Sequence, residues 1–117
     1  MRSLLVGSAL ISLAIAPSAQ AVGLKQRLAK MPSPAFTSEK PLGELEYCIG
    51  LETARWMHPN TLRGDKKVIL YGTPEDNLFG LTFFAVVIQD TGSTRTIAYQ
   101  AQTSWDERTA ALIRACM

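Results

Sequence analysis

Residues 78–89 read LFGLTFFAVVIQ, and the reading of this stretch decides the fold. Successive side chains of a strand point to opposite faces, so Leu81, Phe83, Ala85 and Val87 share one side, and Thr82, Phe84, Val86 and Ile88 the other. Both sides are apolar, which predicts a central strand with cover on both faces. Gly80 is expected to mark a bulge near its start. Downstream, Asp90-Thr91-Gly92-Ser93 has the composition of a tight hairpin turn. The chain then returns through Thr94–Thr103, where Ile97, Tyr99 and Ala101 alternate against Thr96, Ala98 and Gln100. Upstream, Lys67-Val68-Ile69-Leu70-Tyr71 is β-branched and aromatic between Asp65 and Gly72, and reads as a strand. The cluster Thr73–Asn77 reads as the turn between this strand and the central one.

Helical patterns flank the strands. Pro41 suits the first position of a helix, and Leu42, Leu45 and Ile49 then recur on one face with Cys48 at its edge. Gly43 and Gly50 weaken this segment, each by about 1 kcal/mol relative to alanine. The spacing predicts a helix over 41–56, ended by His58-Pro59-Asn60, because a residue before proline is pushed out of helical geometry. At the other end Ser104 and Glu107 have capping-box spacing. Trp105, Thr109, Leu112 and Cys116 then repeat on one helical face. The expected fold class is α+β, in the order α-β-β-β-α. The simplest packing is a three-stranded antiparallel meander with two helices on one face.

The chain has 117 residues and a formal net charge of +2, which allows one domain. Met1-Arg2, the uncharged run Ser3–Ile15, Pro17 and Ala19-Gln20-Ala21 reproduce the three-part layout of a secretory signal peptide, residues 1–21. Residues 22–40 hold Lys25, Arg27, Lys30 and Lys40 against Glu39 alone, and are expected to be a flexible basic leader. Leu24, Leu28 and Met31 give this leader a short apolar stripe that could rest on an anionic membrane. The single domain is expected over 41–117. Its balance is mildly acidic, so the net positive charge belongs to the leader and is no argument for nucleic-acid binding.

The chain contains two cysteines and one histidine. That excludes a dense disulfide scaffold, a four-cysteine zinc site and a multi-histidine metal centre, and no cofactor is expected. In an exported protein, periplasmic or secreted, Cys48 and Cys116 are expected to pair and tie the two helices together. A catalytic dithiol would need close spacing and a thiolate at a helix N-terminus, and neither cysteine has that setting.

Catalytic motifs are sparse. Asp90-Thr91-Gly92-Ser93 reproduces the D-T-G-S string of aspartic proteases. That chemistry needs two aspartates sharing a proton and a long following half, so the string is read as a turn. His58 has no second histidine, and a disulfide would remove its thiol partners. No phosphate loop, nucleophile elbow or zinc-protease helix is present. Trp56 is expected to cap the core and His58 to be a surface residue at a helix end; the alternative is that Trp56, His58 and Trp105 line a small pocket. The leading expectation is therefore a non-enzymatic interaction module. It would bind a protein partner, or pair as a homodimer through an open sheet face carrying Phe84, Val86 and Ile88 or their alternates. The alternatives are an inhibitor or accessory protein of a cell-envelope enzyme, using the Thr73–Asn77 loop, and a small hydrolase using Asp90 or His58.

Overall fold

The computed structural model describes residues 23–117. The expected signal peptide lies outside the described residues. The elements are α1 (Leu24–Ala29), β1 (Phe36–Ser38), α2 (Leu42–Ala54), β2 (His58–Arg63), β3 (Lys67–Thr73), β4 (Phe84–Asp90), β5 (Arg95–Ala101) and α3 (Asp106–Arg114). The sheet has five strands in the order β1-β5-β4-β3-β2, every neighbouring pair antiparallel. β4 is central, as its two-sided apolar sequence requires. The expected three-stranded meander is thus extended by a strand at each edge.

Both extra strands have physical reasons to lie at edges. β2 contains Pro59, which has no N–H to give and is tolerated where one side of the strand is unpaired. The segment expected to be a simple helix stop is therefore a strand. It is pinned by Asn60, whose Nδ2 donates to Thr73 Oγ1 at 3.1 Å and to Tyr71 O at 3.4 Å. β1 comes from the segment expected to be a flexible leader. It pairs Phe36 with Ile97, and Ala35 N–H donates to Ile97 O.

The rest of that leader is also built into the domain. Arg95 donates from Nη2 to Glu39 O at 2.6 Å and from Nε to Lys40 O at 2.8 Å. Lys40 Nζ donates to Cys116 O at 2.9 Å. α1 packs across β4 and β5 with Leu24 and Leu28 half-buried, so its apolar stripe faces its own sheet. Its one buried residue is Arg27, whose Nε donates to Thr82 O and Nη1 to Gln100 Oε1. Burial without a carboxylate lowers the Arg27 pKa from the usual guanidinium range.

The core lies between the sheet and the pair α2 and α3. Leu45 and Ile49 of α2, with Leu112, Ile113 and Cys116 at the C-terminus, close over Val68, Leu70, Phe84, Val86, Ile88 and Ile97. Cys48 and Cys116 form a disulfide that ties α2 to the end of α3. Phe84, Val86 and Ile88, expected on an open face, are each 0% exposed. The bulkier of the two rows faces the helices, where it removes more apolar surface from water. The opposite face carries Ala85 and Val87 and is partly covered by α1.

Gly72 is where the sheet leaves no room for a side chain. A Cβ there would come within 2.6 Å of Met57 Sδ and 2.7 Å of the Phe84 ring. Met57 can swing aside, but Phe84 is locked in the core. Gly72→Ala is expected to lower stability by about 1–3 kcal/mol, read as the midpoint of urea unfolding. An unchanged midpoint would contradict this packing.

The expected capping box does not form. The chain enters α3 through a 3-10 turn, Thr103–Trp105, so Trp105 takes the N-cap position with no side-chain cap. Ser104 lies inside that turn and accepts from Gln102 Nε2. Asp106 and Glu107 still occupy the first turn, where carboxylates favour the helix dipole.

A candidate binding cleft at one end of the sheet

The antiparallel register brings three connections to the same end of the sheet. His58 opposes Thr73, Gly72 opposes Phe84, and Phe84 opposes Ala101. The links α2–β2 (55–57), β3–β4 (74–83) and β5–α3 (102–105) therefore converge. Between them lies a cleft of about 580 Å³. Arg55, Trp56, Met57, His58 and Pro59 form one wall, Pro74, Glu75 and Phe83 another, and Trp105 a third. That volume is within the usual range for a ligand pocket. The structure thus brings Trp56, His58 and Trp105 together around one cavity.

Its aromatic wall is anchored in the core. Trp105 packs against Phe83 at 6.0 Å and Phe84 at 6.2 Å between ring centroids. Trp56 is 49% exposed. Arg108, which the sequence reading did not single out, has its guanidinium carbon 4.7 Å from the Trp56 ring centroid and 4.9 Å from that of Trp105. Both distances are in the range of cation–π attraction. Arg108 follows Trp105 by three residues at the start of α3, a spacing that places side chains together on a helix. That was the available signal.

The β3–β4 link was expected as a polar turn running into a strand from Leu78. Instead β4 begins at Phe84, and residues 78–80 form a loop tip. Leu78 is 77% exposed and Phe79 82% exposed, the two highest values among the described large hydrophobic residues. Gly80 follows with φ +66°, so it belongs to this loop and is not a bulge in the strand.

Asp90 lies at the other end of β4. Asp90 Oδ1 accepts from Gly92 N–H at 3.0 Å and from Arg95 Nη1 at 3.3 Å, and Gly92 has φ +106°. Six residues of extended strand, about 20 Å, separate this end from the cleft, so Asp90 and His58 do not share a site. The Gly92 N–H, with help from Arg95, lowers the Asp90 pKa from the ordinary aspartate value, against a desolvation that works the other way. A folded-state pKa below the unfolded one adds stability above the unfolded pKa, and that is lost as pH falls through the folded pKa. Carboxyl NMR titration is expected to give Asp90 a midpoint below about 3.9. A midpoint above that value would contradict the turn geometry.

Among the described residues, no group of three or more His, Cys, Asp or Glu side chains is placed to hold a metal ion. No described helix is long and apolar enough to cross a membrane. No family model, curated protein or solved structure matches the chain.

Proposed function

We propose that this protein is an exported, non-enzymatic interaction module that binds a protein partner through the cleft end of its sheet. The observation that carries this reading is a two-tryptophan cleft walled in part by Pro74, Glu75 and Phe83 of the β3–β4 link, the same link whose tip holds Leu78 and Phe79 in water. Exposed apolar groups and a concave aromatic site are both features of recognition surfaces. The disulfide supports export, because such bonds persist in oxidising compartments. Where the partner is an envelope enzyme, the module is its inhibitor or accessory.

The test is affinity isolation from the exported fraction with three proteins: the unaltered chain, Phe79→Ser and Trp56→Ala. A partner held by the first and lost by both variants, at matched melting temperature, is the expected result. Equal recovery by all three would overturn the proposal. Turnover of a recovered substrate would support the hydrolase reading in its place.

A homodimer is the second reading, now through the alternates of the residues first expected. Leu62, 48% exposed, opposes Ile69, which opposes Val87, both half-buried on the face away from α2 and α3. Sedimentation would show a dimer dissociated by Val87→Glu if this face pairs, and a monomer if it does not.

A further inference from the structure

The cleft has an apolar body and a cationic rim. Trp56, Met57, Phe83 and Trp105 supply the body. At the rim, Arg55 has one partner, Glu52 at 3.6 Å, and Glu75 is the single carboxylate that lines the cavity. Arg108 is exposed, and no hydrogen bond or ion pair with a described residue engages it. Arg114 is likewise exposed with no such partner among the described residues, but it sits at the other end of α3 and does not line the cleft. Arg63 is paired with Glu46, Arg95 with Asp90, and Arg27 donates to Thr82 and Gln100.

The position of Arg108 limits what can meet it. Its guanidinium lies over two indole rings, which hold the group in place. The N–H groups of a guanidinium point outward in its own plane, as a fork that matches the two oxygens of a carboxylate. A side chain held this way has already lost most of its rotamer freedom, so an acceptor gains the contact at lower entropic cost. Resting on the reading of the cleft as the binding site, we infer that it takes a peptide segment carrying a carboxylate next to an apolar side chain. The carboxylate docks on Arg108 and the apolar side chain enters the cavity lined by Trp56, Met57, Phe83 and Trp105. The carboxylate can be a chain terminus or an Asp or Glu side chain, and the experiment separates the two.

Both tryptophans of the chain line this cleft, so tryptophan emission, excited selectively over that of the tyrosines, reports from it alone. Three probes are titrated into the intact protein: acetyl-Ala-Phe as the free acid, acetyl-Ala-Phe-amide, and acetyl-Asp-Phe-amide. The free acid, the aspartyl amide or both are expected to bind about tenfold tighter than the neutral amide, the difference expected for a hydrogen-bonded charge. Which of the two does so identifies the source of the carboxylate. Arg108→Gln is expected to remove that preference, and Arg108→Lys to restore part of it. Both variants should stay folded, with Arg108→Gln losing no more than the few degrees an exposed cation–π contact supplies, because the residue is exposed. Equal binding of the three probes would overturn the carboxylate assignment and leave the cleft reading intact, as would a preference that survives Arg108→Gln. Binding by none of them also overturns the assignment. The cleft reading itself then stands or falls with the Phe79→Ser and Trp56→Ala isolations.

Discussion

Reduction of the Cys48–Cys116 bond is expected to lower stability by about 4 kcal/mol and the melting temperature by about 20 °C. The bond closes a loop of 68 residues. Cross-linking a loop of that length removes many conformations from the unfolded chain, which is the source of the estimate. It also fixes α2 to the end of α3, two helices that are separated in sequence by four strands of the sheet. Small domains have total stabilities of roughly 5–15 kcal/mol, so the loss is a large share. Cys116 is 1% exposed, and a Cys48→Ala/Cys116→Ala double variant should match or exceed the effect of reduction. Equal melting curves for oxidised and reduced protein would show that the helices are held by packing alone.

Phe84→Ala is expected to cost about 3–5 kcal/mol, the range for removing a buried aromatic ring. The ring is 0% exposed and lies against Trp105 and the Cα of Gly72. Val87→Ala, on the face away from α2 and α3, should cost about 1 kcal/mol or less, because its side chain is half-buried. The contrast decides which row of β4 is the core row. Denaturant unfolding of the two variants measures it, and a larger cost for Val87→Ala would reverse the assignment of faces. Loss of the Phe84 ring also removes a support of Trp105, so tryptophan emission should shift to the red in the folded variant.

The central strand was legible because it is apolar on both sides, and the disulfide because two cysteines in two helices leave one pairing. The side of β4 that is covered was not legible. Phe84, Val86 and Ile88 compete with Ala85 and Val87 as core rows, and alternation alone does not rank them. Side-chain bulk and the bare backbone at Gly72 settle it in favour of the first row. β2 escaped because His58-Pro59-Asn60-Thr61-Leu62-Arg63 has no apolar alternation. An edge strand with a polar outer side does not need one. α1 and β1 escaped because a basic segment with Pro32 and Pro34 reads as a leader. Its attachment runs through Arg27, Arg95 and Lys40, whose partners are backbone carbonyls and one amide far away in the chain. At the site, Trp56, His58 and Trp105 were legible only as an alternative pocket, since nothing in the sequence ranks that above a core cap and a surface histidine. Arg108 and the loop tip were not, since their roles depend on the register that brings three links together.

The most direct test of the cleft reading is fluorine NMR of protein carrying fluorinated tryptophan, recorded as the isolated partner is added. The chain has two tryptophans, Trp56 and Trp105, and both line the cleft. Binding at the cleft predicts that the more exposed Trp56 shifts in step with complex formation, with a smaller shift at Trp105. Full complex formation with both resonances unmoved would place the interface elsewhere on the domain and contradict the account.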